Sequence, residues 1–235
     1  MSTVAISYSQ PVTLAGGGIL DRHMLVEAQA LAPHLVAADG AADRLAEWGL
    51  MPDAVIGDMD SLTDPKAWHA RTRVVHLSEQ DTTDFEKCLY ATEAPLYVAT
   101  GFTGRRVDHM LAVFHAMLRR PEKPVVVLGE EEAMAFVPQR GITLDLHPGA
   151  VVSLYPILPA RGTISEGLQW DLAGLDLAPG QRIGTSNRAA APRIHLGFDR
   201  PGILLMIERA YLGALAAALT QARRPWTTWT PEALG

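Results

Sequence analysis

The chain has 235 residues, 48% of them apolar and 20% charged, with a formal net charge of −6 at pH 7. It is long enough for one large or two small domains with a real core, and its acidic balance argues against nucleic acid as the main partner. A lone cysteine, Cys88, excludes an internal disulfide framework and any multi-cysteine metal site, and the eight histidines show no paired spacing of the HExxH kind.

No apolar run reaches the roughly 18 residues that a membrane-spanning helix needs. The opening "MSTVAISYSQ" lacks the basic-then-apolar pattern of a signal peptide, so the expectation is a cytoplasmic protein with no membrane role.

Apolar or β-branched runs at 11–15, 34–38, 54–57, 73–77, 96–100 and 125–129 predict strands. Between them, 20–31, 41–48, 82–91 and 106–119 carry helical spacing, placing Cys88 as a buried helix residue and Trp48 and Trp68 in helix packing. This alternation predicts an α/β domain over 1–130, a mainly parallel sheet covered by helices. Such sheets hold ligands beyond the carboxyl ends of their strands. After Glu130, short runs such as "GITLDL", "VVSLYPI", "RIHLGF" and "GILLMIE" recur with Gly and Pro between them. They predict an all-β sandwich or barrel over 131–235, closed by a helical tail, "AYLGALAAALTQARR", read as a packing appendage.

Acids stand where the predicted strands end: Asp39 in "VAADGAADRL", Asp58 and Asp60 in "VIGDMDSL", Asp81 and Asp84 in "SEQDTTDFEKCL", and Asp108 in "GFTGRRVDHML". Any one reads equally well as a helix cap, and Asp81 to Asp84 fits the start of the helix carrying Cys88. As a set they would converge, repel one another and raise one another's pKa. Mg²⁺ is the natural cation for such oxygens, because it keeps coordination positions for substrate phosphates. In an extended stretch Asp58 and Asp60 aim together while Met59 faces the core, with the Ser61 hydroxyl next in line and Gly57 freeing the backbone for an unusual turn.

In "GFTGRRVDH", Gly101 and Gly104 permit a tight turn before a helix start, and Arg105 or Arg106 can fork onto phosphate oxygens. His109 either touches phosphate or extends the helix. Gly16 to Gly18 form neither a full GxGxxG fingerprint nor a Walker A loop, and serve either nucleotide approach or a plain turn.

Together "ADGAADRL", "PDAVIGDMDSL", "DTTDFEKCL", "GFTGRRVDHML", "EGLQWDL" and "GTSN" resemble, in order, the motifs of the thiamine pyrophosphokinase (thiamine diphosphokinase) family. The resemblance implies transfer of diphosphate from Mg-ATP to the hydroxyethyl group of thiamine, giving thiamine diphosphate and AMP. It further implies a homodimer with thiamine sites between subunits. Asp58, Asp60 and Asp84 then resemble the Mg²⁺ and phosphate-site carboxylates, with Arg106 and Asp108 from the arginine loop. Asp39, Ser61, Gln80, Thr83, Lys87, Arg105 and His109 fall on the nucleotide side. Trp170 resembles the aromatic that stacks on the aminopyrimidine, and Ser186 with Asn187 its hydrogen-bonding pair. Without the resemblance, Trp170 reads as sandwich core and "TSN" as a turn. Alternatives of the same architecture are a pyrophosphokinase for another heterocyclic alcohol, such as a hydroxymethylpterin, or a nucleotide sensor without turnover.

Overall fold

A computed structural model describes residues 4–222. The chain divides into two compact units, Met1–Glu130 and Glu131–Gly235. The first runs β1 (Ile6–Ser7), β2 (Val12–Ala15), α1 (Arg22–Leu31), β3 (His34–Ala38), α2 (Ala41–Glu47), β4 (Ala54–Gly57), α3 (Pro65–His69), β5 (Arg73–His76), α4 (Asp84–Ala91), β6 (Thr92–Glu93), β7 (Tyr97–Thr100), α5 (Val107–Arg119) and β8 (Val125–Leu128).

Its main sheet is parallel throughout, in the order β8-β7-β2-β3-β4-β5. β1 and β6 form a separate parallel pair. Strands β2, β4, β7 and β8 are buried at every residue, which is why they read as continuous apolar runs rather than alternating ones. Apart from His34 at the start of β3, partial exposure in this sheet is confined to the edge strand β5. Strand order reverses between β2 and β7, so the loops after them diverge at the carboxyl end and leave a crevice.

The elements that periodicity missed are short. α3 is set by its cap, where Asp64 Oδ1 accepts from Ala67 N at 3.0 Å and Pro65 opens the helix. Its Trp68 is buried in a core cluster with Leu35, Val55 and Met59, and its indole N–H donates to Asp43 at 2.7 Å. Trp48 packs against the same cluster. Cys88 is enclosed in α4, where burial pushes its thiol far above the ordinary range.

The second unit contains β9 (Glu132–Phe136), β10 (Ile142–Asp145), β11 (Val151–Pro156), β12 (Ala160–Glu166), β13 (Asp176–Leu177), β14 (Gly184–Arg188), β15 (Arg193–Phe198), β16 (Ile203–Glu208), a 3₁₀ turn at Arg209–Tyr211 and α6 (Leu212–Gln221). The strands pair antiparallel in the orders β14-β11-β16-β9 and β10-β15-β12-β13. β10 shows the expected alternation, with Ile142 and Leu144 buried and Thr143 and Asp145 exposed. α6 buries Leu212, Leu215, Ala216 and Leu219, a single face at helical spacing, against β9 and β10. Trp226 and Trp229 lie outside the described residues. Among the described residues no helix is long and apolar enough to cross a membrane.

Candidate active site

The loops at the carboxyl ends of β2, β3, β4, β5 and β7 enclose a cleft of about 620 Å³. Of the residues expected there, Asp39, Asp58, Ser61, Gln80, Thr83, Asp84, Lys87, Arg105, Arg106 and His109 line it. Asp60 and Asp108 do not.

The acids fall into two arrangements. Asp39, Asp58 and Asp60 each offer a carboxylate oxygen within 4.8 Å of the others. Asp84 instead shares Lys87 with Asp58, the Nζ lying 3.5 Å from Asp84 Oδ1 and 3.3 Å from Asp58 Oδ2. Lys87 is almost wholly buried; burial works against its charge, but its bonds to Asp58 and Asp84 outweigh that and raise its pKa.

The turn that aims Asp58 and Asp60 differs from the extended stretch expected. Met59 carries φ +68°, a left-handed backbone that folds the two carboxylates to one side while its own side chain enters the core. Gly57 has no positive φ; it is needed for space. A Cβ there would stand 2.8 Å from Asp39 Cβ and 3.2 Å from Asp84 Oδ1, so only glycine lets the end of β4 pass beneath both acids.

Asp39 is the most constrained acid. Its Oδ2 accepts from Ser61 N at 3.2 Å, whereas its Oδ1 is buried and has no hydrogen-bond partner. Burial raises its pKa, the Ser61 bonds partly offset this, and Asp58 and Asp60 add to the rise. Burial likewise lifts Asp84, against the pull of Lys87. Asp58 goes the other way: burial opposes its charge, but Gln80 Nε2 at 2.9 Å, the Asp60 N–H and Lys87 together hold its pKa below the usual range. Repulsion between carboxylates at such spacing is worth about 1–4 kcal/mol per pair at effective dielectrics of about 80 and 20, with exposed Asp60 at the lower end. One Lys cannot neutralise the set, and a divalent cation fits both the donor chemistry and the unpartnered Asp39 oxygen.

Opposite the acids, the two glycine loops pack on each other. Gly18 N donates to Gly101 O at 2.6 Å and Ile19 N to Thr103 O at 3.0 Å; Gly17 and Gly18 line the cleft. Arg105 holds φ +50° just before α5. Arg106 is exposed and forked onto Asp108, Nε to Oδ1 at 3.1 Å and Nη2 to Oδ2 at 2.5 Å, and this guanidinium holds Asp108 down at about 2.

In the second unit Trp170 is 53% exposed, so it does not fill a core. Its loop is held by Asn187, whose Oδ1 accepts from Trp170 N at 3.1 Å and Arg188 N at 2.8 Å, while Nδ2 donates to Trp170 O at 2.8 Å. Asn187 is buried, its amide largely consumed by backbone. Exposed Ser186 has φ +60°, and its N–H donates to Ser153 Oγ at 2.9 Å.

Residues 27–128 match the family model described as thiamin pyrophosphokinase, catalytic domain, and residues 141–203 match that of its vitamin B1 binding domain. The chain belongs to the thiamine pyrophosphokinase family. It is 32% identical over 167 residues to thiamine pyrophosphokinase 1 of Arabidopsis thaliana, covering 63% of this chain and 62% of that protein. With thiamin pyrophosphokinase 1 of Caenorhabditis elegans it shares 29% over 189 residues, covering 70% and 75%. The match thus spans somewhat under two thirds of the plant relatives' length, 62% and 58% for the two from Arabidopsis. Among solved structures, the thiamin pyrophosphokinase of Geobacillus thermodenitrificans superposes with a TM-score of 0.70 at 22% identity, covering 85% of this chain and 97% of that one. The yeast thiamin pyrophosphokinase gives 0.73 at 17%, covering 89% of each. These superpositions establish a shared fold.

Set against the family ranges, the cleft loops from β3 onward lie in the catalytic match, and Trp170, Ser186 and Asn187 lie in the vitamin B1 match. Sequence reasoning passed over Thr82, Phe85 and Phe102, which also line the cleft. Phe85 and Phe102 meet edge to face with centroids 4.8 Å apart. The flanking glycines of "GFTG" were the only signal for Phe102. Glu79 was also missed, since its partners, two backbone N–H groups and the Thr82 and Tyr90 hydroxyls, form no motif in the sequence.

Proposed function

We propose that this chain is a thiamine diphosphokinase, transferring an intact diphosphate from ATP to the hydroxyethyl oxygen of thiamine with AMP as the leaving group. The observation that carries the reading is the cleft itself, where clustered carboxylates face a glycine and arginine loop at the carboxyl end of a parallel sheet. Family membership supports the choice of both substrates.

Diphosphate transfer asks a protein for positioning and for neutralisation of charge rather than for covalent help. Asp39, Asp58 and Asp60 would hold Mg²⁺, with Asp84 beside them. When bound, Mg²⁺ supplies positive charge to the phosphate oxygens. Lys87 keeps Asp58 and Asp84 fixed in the meantime. Gln80, Thr82 and Thr83 offer hydrogen bonds from one wall, and the Gly17–Gly18 segment with Arg105, Arg106 and His109 contacts phosphate from the other. On the acceptor side the exposed face of Trp170 suits a cationic aromatic ring, a contact worth about 0.5–2 kcal/mol. The family resemblance further supports a cytoplasmic homodimer with its thiamine sites between subunits, for which light scattering at micromolar concentration is the check.

A ³¹P NMR time course with Mg-ATP and thiamine tests the reading. Stoichiometric AMP and a thiamine-linked diphosphate are expected; ADP as the sole nucleotide product would refute it.

A further inference from the structure

We infer that Glu79 is a positioning residue for the nucleotide wall of the cleft, setting the shape of the 77–83 loop and through it the affinity for a nucleoside triphosphate. This rests on the proposed function of the same cleft.

The loop joins β5 to α4 without regular structure, so its backbone groups need partners from elsewhere. Glu79 supplies them. Its Oε2 accepts from Asp81 N at 2.9 Å and Thr82 N at 3.0 Å. Its Oε1 accepts from the Thr82 hydroxyl and from Tyr90 Oη, the latter at 2.7 Å. Each carboxylate oxygen therefore takes two donors, closing the loop on itself and tying it to α4. The Thr82 hydroxyl bond is the first cause holding Glu79 below the ordinary glutamate range, and Tyr90, pushed up to about 12 first by burial, remains a donor.

Glu79 does not line the cleft, yet its neighbours do. Gln80, between Glu79 and Asp81, is turned so that its amide reaches Asp58 at 2.9 Å. Thr82 and Thr83 line the wall, and Thr83 also caps α4 by accepting from Glu86 N at 3.4 Å. A bare carboxylate next to a phosphate site would repel its ligand; here the charge is spent on four donors of the loop and helix. The arrangement acts on the nucleotide through Gln80, Thr82 and Thr83, and leaves the Trp170 loop untouched.

Glu79→Ala removes both acceptor oxygens and leaves the Asp81 and Thr82 N–H groups and the Thr82 and Tyr90 hydroxyls without their partner. In the ligand-free protein, the amides of Asp81 and Thr82 should exchange hydrogen at least tenfold faster than in the unaltered chain. The KM for Mg-ATP should rise about tenfold, with the KM for thiamine changed less than twofold. A purely structural role would lower the melting temperature and the active fraction without moving the nucleotide KM. Tyr90→Phe, which removes one hydroxyl and keeps the ring, should shift the nucleotide KM about threefold in the same direction. Equal exchange rates, or an unchanged nucleotide KM in both variants, would overturn the inference. Failure of the unaltered protein to bind Mg-ATP overturns the reading of the cleft, and this inference with it, and is seen before any variant is made.

Discussion

Asp39, in the loop after β3, and Asn187, in β14, are each only 2% exposed, one in each unit, and each lies beside a proposed substrate. Their hydrogen bonding separates them. Asn187 has its carbonyl filled by two backbone N–H groups and its amide donating to Trp170 O, whereas Asp39 keeps one oxygen with no partner at all. A buried acceptor left unpaired costs about 1–3 kcal/mol, so it calls for an explanation, and a bound cation would supply one for Asp39. The comparison shows Asn187 holding the Trp170 loop and supports the proposal that Asp39 faces a ligand, although both lie in motifs that resemble one family.

The largest effect should come from the carboxylates. Asp58→Asn or Asp60→Asn is expected to cut turnover at least 100-fold with an unchanged circular dichroism spectrum; near-normal turnover would remove the metal-site reading. Next come two variants on the acceptor side that ought to differ in kind. Trp170→Ala should raise the thiamine KM about tenfold and leave the melting temperature in place, because the ring is exposed. Asn187→Ala strands the Trp170 N–H and C=O and should destabilise the protein by about 2 kcal/mol in thermal or urea unfolding. If Asn187→Ala altered only the thiamine KM, the amide would be a ligand contact rather than a clamp.

Asp39→Asn sharpens the contrast from the other side. It removes a buried charge of which one oxygen has no hydrogen-bond partner, and should raise the stability of the ligand-free protein by about 1 kcal/mol while weakening Mg-ATP binding. The pH dependence has a definite sign. Because burial holds the folded Asp39 carboxyl above its unfolded value, the stability it confers is complete below about pH 4 and is lost as pH rises through the folded value. Melting curves should show the advantage of Asp39→Asn growing from about pH 4 toward neutrality; a flat difference would mean the charge is already compensated. The smallest effect is expected at Asp108, which is exposed and does not line the cleft, although its partner Arg106 does: Asp108→Ala should change turnover less than threefold with no change in melting temperature.

The parallel sheet was legible because its signals are local. Fully buried strands appear as apolar runs, and the runs at 34–38 and 54–57 coincide with β3 and β4 to the residue. The acidic loops were legible for the same reason, since Asp39, Asp58 and Asp60 closely follow strand ends and Asp84 and Asp108 open helices. The turn at Met59 was not, because a left-handed residue between two aspartates has no spacing signature, and the role of Gly57 depended on Asp39 and Asp84 arriving from other loops.

Chain order and residue type alone determined that the protein has an α/β half with acids at its strand ends, an antiparallel half, and motifs that resemble a single family. Only the tertiary structure decided that Asp39 groups with Asp58 and Asp60, that Asp84 turns to Lys87, that Asn187 is consumed by backbone and that Glu79 braces a loop. These depend on partners 22 and 29 residues away, as for Gln80 and Lys87 on Asp58, and on burial, which changes what a carboxylate costs without changing how it is written.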